Sequence, residues 1–339
     1  MMMASARGHV RTLASASPPM TPHDLKRAAL FDLLEHELDW APVTRTLSSA
    51  VSAADPRLLP GEELRRLPPL PIAPPRHSHQ PRSSWALRVA YYGPAFRGFA
   101  WQTEYDPLET VSGCLDTALT PLLGRRPNLA CAGRTDAGVS ALGQLVSFHS
   151  YPELTEDMLR DAINQVAPSQ STLRLLSAQQ VPRVHHATFS TAWRRYVYLL
   201  PARGLGVSSG ALRRQLAALV GHSLDYAALG RKVPKSKSTV CTLHAATASA
   251  VELGEEEAAI RIEIVGDRFL RKMVRTLVSS AVWAAQREAE GEAGAHDLLL
   301  RVATSGEQKQ SAHPAPARGL CFVGSGAEGD VWASGVEPL

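Results

Sequence analysis

Proline placement sets the first limit on what this chain can build. Half of its 24 prolines lie in the first 84 of 339 residues, nine of them between positions 41 and 84. A proline locks φ and donates no backbone hydrogen bond, so runs such as Pro68-Pro69-Leu70-Pro71 do not sit inside a helix or a central strand. Residues 41–84 therefore read as an extended linker, and 1–84 as a disordered, proline-rich N-terminal extension. One regular element is expected there, a short helix over about 22–40. Leu25, Ala29, Leu30, Leu33, Leu34 and Leu38 recur at helical spacing, behind Thr21 as N-cap and Pro22 in the first turn. The first 23 residues hold Arg7 and Arg11 and no acid, the composition of an organelle transit peptide; a disordered tail is the alternative. The transit-peptide reading implies a mitochondrion or plastid, its alternative the cytoplasm or nucleus.

Composition excludes several classes. Apolar residues make up 45% and charged residues 20%, close to globular averages, so the rest of the chain should close around a core. No stretch approaches the roughly 18 consecutive apolar residues of a membrane-spanning helix. Cys114, Cys131, Cys241 and Cys321 are far apart and form no CxxC pair, which argues against a zinc ribbon, a redox motif or a disulfide-built secreted fold. His185 and His186 are adjacent, so a strand would point them to opposite faces, and no metal site is expected. The net charge of +4 announces no nucleic-acid partner by itself; its distribution matters more.

From Trp85 onward the pattern alternates irregularly between strand and helix. Strands are predicted over 85–92, 129–132, 142–148, 173–178, 193–200, 242–251 and 258–265. Helices are predicted over 110–123, 155–166, 211–220, 268–285 and 296–304. Without a strict βαβ rhythm, an α+β or mixed-sheet fold is favoured over a doubly wound one.

Three runs could carry chemistry. In Gly133-Arg134-Thr135-Asp136-Ala137-Gly138, two glycines permit a sharp turn that can present Asp136 at the end of a sheet, with Arg134 close enough to hold its carboxylate or a phosphate. The plain alternative is an Asx-turn. In Arg194-Arg195-Tyr196-Val197-Tyr198, alternation puts Arg194, Tyr196 and Tyr198 on one face, suited to stacking on a base beside a phosphate. A half-buried strand with a polar outer face would look the same. On a helix, Arg268, Arg271, Lys272 and Arg275 would share an arc of roughly 100° opposite an apolar stripe. The windows 183–195, 231–237 (with Lys237) and 268–275 are basic and contain no acid, while acids gather elsewhere, as at Glu255-Glu256-Glu257. That segregation suits a phosphate backbone, although a solvated basic face is the alternative. Gly206-Val207-Ser208-Ser209-Gly210 fits the GxSxG of a hydrolase elbow, with Asp225 and His244 downstream. The span from serine to histidine is too short for that fold, and an N-cap explains the serine.

Ala132-Gly133-Arg134-Thr135-Asp136-Ala137-Gly138-Val139 resembles the AGRTDAGV signature of the TruA-like tRNA pseudouridine synthases. The resemblance continues in order through Tyr92-Gly93-Pro94-Ala95-Phe96-Arg97-Gly98-Phe99, Phe189-Ser190, Arg194-Arg195-Tyr196-Val197-Tyr198, Phe269-Leu270-Arg271-Lys272-Met273-Val274-Arg275 and Ala315-Pro316-Ala317-Arg318-Gly319-Leu320. It covers about 85–323. The resemblance implies an α+β pseudouridine synthase fold, a mixed, mainly antiparallel sheet with helices on one side. Two similar halves, 85–200 and 201–325, would flank a basic cleft and leave 326–339 as a tail.

The resemblance further implies isomerisation of uridine to pseudouridine in the anticodon stem-loop of tRNA, with no cofactor and no metal, by a chain able to form a homodimer. Asp136 matches the catalytic aspartate and Tyr196 the tyrosine that stacks on the base. Arg134 matches the arginine that pairs with the aspartate and fills the space of the flipped nucleotide, and Arg275 an arginine holding the aspartate or a phosphate. RNA contacts are expected from Arg194, Arg195, Arg268, Arg271, Lys272 and Lys237. The chain departs from the pattern at Ser140 (usually His), Tyr92 (often Asp), Thr188 and Cys241 (both often Arg), and the segment from Leu200 to Gly221 is short. The lost arginines motivate a rival expectation, a non-catalytic or altered-specificity RNA-binding homologue.

Overall fold

A computed structural model describes residues 21–60, 68–72, 82–166, 172–254 and 257–330. Most of the segment read as a transit peptide or a tail, before Thr21, and the residues after Asp330 lie outside these. In chain order the elements are α1 (Pro22–Asp32), α2 (Ala41–Ser52), β1 (Ser83–Tyr91), α3 (Val111–Leu123), β2 (Ala130–Cys131), β3 (Ser140–Ser150), α4 (Glu156–Val166) and β4 (Leu173–Val181). There follow β5 (Trp193–Pro201), α5 (Ser209–Ala217), β6 (Ser223–Asp225), β7 (Val240–Glu252), β8 (Ala258–Gly266), α6 (Met273–Ala289), α7 (Leu298–Thr304) and β9 (Leu320–Gly326).

The strands form one sheet in the order β4-β1-β3-β9-β5-β8-β7-β6, with β2 paired to β3. Two antiparallel triplets, β4-β1-β3 and β5-β8-β7, are spliced by β9. This strand runs antiparallel to β5 but parallel to β3, and meets β3 only at Ser140 and Ala141. The fold is thus α+β with a mixed, mainly antiparallel sheet. Trp193–Pro201, assigned in the sequence reading almost wholly to 85–200, pairs with β8 and β9.

Packing explains the helices. Except for Arg275 and Gln286, α6 is buried from Met273 to Arg287, as expected of a helix surrounded by core rather than lying on it. Its start differs from the expectation of a helix from 268. Lys272 takes a left-handed φ of 61°, so the helix begins at Met273, and Arg268, Arg271 and Lys272 occupy the approach rather than a helical face.

The N-terminal extension departs most from the sequence reading. Where one helix and a linker were expected, two helices lie against the body, and Leu30, Leu34, Leu38, Trp40, Val43, Leu47, Ala50, Val51 and Leu59 join the core. Proline count misled because Pro42 sits in the first turn of α2, where its missing N–H costs nothing. Residues 43–55 contain no proline, and Val43, Leu47, Ala50 and Val51 recur at helical spacing.

A charged cluster is buried in the second half. Arg195 Nε donates to Glu263 Oε1 at 2.8 Å, and Arg261 Nη1 donates to Glu263 Oε2 at 2.8 Å. Burial alone would raise the Glu263 pKa, but the two guanidinium groups outweigh it and hold the carboxyl at about 2, against 4.5 unperturbed. A depressed folded pKa gives stability that is complete above about 4.5 and is lost as pH falls towards 2. Denaturant unfolding is expected to show this acid slope in the wild type and not in Glu263→Gln. That variant should also unfold more easily at neutral pH, by about 3–5 kcal/mol, because two buried cations lose the carboxylate they share.

Candidate active site

Residues 132–139 form the loop between β2 and β3, and the buried polar side of the first triplet pins it. Tyr91 and Thr135 share a hydroxyl–hydroxyl hydrogen bond of 2.8 Å, Gln144 Nε2 donates to Gly133 O at 2.7 Å, and Phe99 N donates to Thr135 O at 3.1 Å. Gly138 closes the turn at a φ of +81°, a conformation other residues adopt only under strain. The loop then enters β3 at Ser140, where β9 splices the two halves. Ser140 Oγ accepts the Gly93 N–H at 2.9 Å, so the residue here is a buried hydroxyl that ties the start of β3 to the turn after β1.

The Asp136 carboxylate is partly exposed and accepts from Arg275 Nη1 at 3.3 Å. The same guanidinium is oriented by its Nε, which donates to Ala315 O at 2.6 Å. Arg275, rather than Arg134, therefore holds the aspartate. Arg134 is exposed and makes no ion pair among the described residues.

Tyr196 projects from β5 towards this loop. Phe269 and Phe322 meet its ring edge-on at 5.2 and 5.1 Å, which fixes the ring plane. Its hydroxyl lies against Gly133, where an added Cβ would stand 3.6 Å from the oxygen. Burial pushes the Tyr196 phenol far above the ordinary tyrosine range; Arg194 opposes that shift and the nearby Asp136 charge adds to it. Tyr196 is thus a neutral phenol across the physiological range.

The other basic residues divide into two groups. Arg194 spends its donors on the carbonyls of Ala132, Thr188, Thr191 and Asp267, bolting the loop's base to neighbouring segments. Arg195 is buried in the ion pair with Glu263. Arg195 is thereby buried away from the surface, whereas Arg194 stays partly exposed. Arg268, Arg271, Lys272 and Lys237 remain at least partly exposed, without a side-chain ion pair among the described residues. The GxSxG run is a helix cap: Ser208 Oγ accepts from Ala211 N at 3.2 Å at the start of α5. No group of three His, Cys, Asp or Glu placed to share a metal ion occurs among the described residues, and none of their helices is long and apolar enough to cross a membrane.

Phe189, read in the sequence only as part of the Phe189-Ser190 match, was assigned no site role there. Phe189 is 84% exposed, and its ring lies 4.5 Å from that of His186. The turn carrying them is rigidly held: Thr188 Oγ1 donates to Cys131 O at 2.7 Å, Ala187 N to Ser147 Oγ at 2.9 Å, and Ser190 N to His186 O at 2.8 Å. The turn thus holds an exposed aromatic ring close to Cys131, at the start of the 132–139 loop. In the sequence it is an aromatic inside a basic, acid-free window and part of the Phe189-Ser190 match.

Residues 216–325 match a protein family described as tRNA pseudouridine synthase. Over 205 residues the chain is 34% identical to the tRNA pseudouridine synthase A of Chlorobium luteolum, covering 57% of this chain and 78% of that protein. The tRNA pseudouridine synthase A of Roseiflexus castenholzii is 30% identical over 253 residues, 70% of this chain and 88% of the relative. That of Chlorobium phaeovibrioides is 32% identical over 219 residues, 61% and 86% of the two chains. With this likeness spread over most of each relative's length, the chain belongs to the tRNA pseudouridine synthase A family.

Proposed function

We propose that this chain isomerises uridine to pseudouridine in tRNA, in the anticodon arm, with Asp136 as the group that opens the glycosidic bond. The observation that carries the reading is one partly exposed carboxylate, held by Arg275, on a glycine-closed turn against a buried tyrosine ring. In this reaction the N1–C1′ bond of uridine breaks, the uracil turns, and a C5–C1′ bond forms. C5 gives up its proton and N1 gains one, so nothing is consumed. An ionised carboxylate suits either opening step, attack on C1′ or removal of the 2′ proton. The ordered Tyr196 ring is suited to stacking on the freed base so that it turns without escaping. Because its phenol stays protonated, donation of a hydrogen bond suits Tyr196 better than service as a resting base for the C5 proton. The uridine must leave its stack to reach this carboxylate, at a cost of a few kcal/mol. On this reading the exposed Arg134 fills the vacated space, and Arg268, Arg271, Lys272 and Lys237 contact phosphates.

Incubation with an unmodified tRNA transcript, followed by carbodiimide mapping, tests the reading. New pseudouridines in the anticodon arm are the expected result; binding without any modified position would favour a non-catalytic RNA-binding protein. The exposed Phe189 ring makes a separate prediction. Base stacking on an aromatic contributes about 1–3 kcal/mol. Phe189→Ala should weaken tRNA binding in a filter assay about fivefold to a hundredfold, and leave the rate at saturating RNA close to wild type.

A further inference from the structure

The segment 310–320, which leads into β9, is held from two sides. On one side is α6. Ala315 N donates to Arg275 O at 3.0 Å, Arg275 Nε donates back to Ala315 O at 2.6 Å, and Ser279 Oγ donates to His313 O at 2.5 Å. On the other side lies the N-terminal extension. Arg27 Nη1 donates to Gln310 O at 3.3 Å, and the Phe31 ring meets His313 at 5.4 Å. Arg318 Nη2 donates to Glu35 O at 2.7 Å and to Glu35 Oε2 at 2.9 Å.

Trp40 closes the arrangement. Its Nε1 donates to Leu34 O at 2.8 Å, and its ring meets Tyr198 edge-on at 6.1 Å. The Tyr198 hydroxyl in turn donates to Pro316 O at 2.9 Å. Trp40 comes this close because residue 319 is glycine: a Cβ there would stand 2.6 Å from the indole.

Arg275 is thus aimed at Asp136 by one carbonyl, that of Ala315, and the N-terminal helices press on the segment that carries it. We propose that residues 21–59 act as an internal brace that sets the Arg275–Asp136 geometry, with Trp40 and Glu35 as positioning residues. The inference rests on the function proposed above for that pair. A shift of about 1 Å at a catalytic group is enough to slow a reaction by orders of magnitude. The carboxylate contact, at 3.3 Å, has little length to spare.

The test uses the full chain and three variants, Trp40→Ala, Trp40→Phe and Glu35→Gln. Each is assayed for single-turnover rate on a tRNA transcript, tRNA affinity, melting temperature and amide exchange across 310–320, all well below the melting transition. Trp40→Ala is expected to slow the single turnover about tenfold, with affinity within about twofold of wild type. Exchange should quicken at 310–320, and Trp40→Phe should recover most of the rate. Glu35→Gln, which keeps the backbone carbonyl and loses the carboxylate charge, should fall between. The brace is overturned if Trp40→Ala lowers only the melting temperature while the folded protein turns over at the wild-type rate. It is also overturned if exchange at 310–320 does not change. A wild type that binds tRNA and modifies nothing, with exchange still quickened in Trp40→Ala, would leave the brace standing and remove the function assigned to the pair it braces.

Discussion

Asp136→Asn is expected to stop turnover and to leave tRNA binding intact. The amide keeps the size of the carboxylate but neither attacks C1′ nor accepts a proton at the 2′ position. Removal of a group that forms or breaks the reacting bond costs about a thousandfold or more. Single-turnover assays at saturating enzyme should therefore show no product on the wild-type timescale, while gel shifts with the same tRNA stay within a few-fold of wild type. The exposed ring of Phe189 and the free cations, which the variant does not touch, are the groups expected to hold the RNA.

Arg275→Met has the second-largest expected effect. Arg275 is the residue bound to both the Asp136 carboxylate and the Ala315 carbonyl, so its loss leaves the aspartate without its ion-pair partner and the 310–320 segment without one of its ties. A hydrogen bond to a charged group is worth about 1.5–3 kcal/mol, which predicts a rate lower by about 10- to 100-fold. Arg275→Lys should recover little. A single ammonium does not reproduce the planar fork that reaches a carbonyl through Nε and a carboxylate through Nη1 at once. Near-wild-type rates in both variants would show that the ion pair is a bystander.

Most elements from Trp85 onward were legible because their patterns are local; the strands β6 and β9 were not among those predicted, and α6 starts later than its pattern implied. Ser208 acts as the expected cap of α5, while β5, read as having one polar face, is buried along nearly its whole length. The Asp136 turn was legible for a similar reason, since two glycines around an acid constrain few residues. What the sequence did not show depends on partners far away in the chain. Arg194, Arg195 and Arg275 are all arginines in basic windows. One is spent on four carbonyls, one on Glu263 and one on Asp136, and only the fold decides which. Helix α2 was missed because proline density was averaged over a window in which Pro42 occupies a harmless position. The helix is weakly marked on its own, and its value lies in a buried face against the sheet and the turn before β9. In the same way Phe189 sits in a resembling motif, but its exposure becomes visible only once the turn around it is built.

The most direct test of the central claim uses a tRNA transcript tritiated at C5 of its uridines. Moving the glycosidic bond from N1 to C5 must release that hydrogen to water. The wild type should release one tritium for each pseudouridine formed, and Asp136→Asn, bound to the same RNA, should release none. Release by the asparagine variant at the wild-type rate, or none by a wild type that binds the RNA, would contradict that claim.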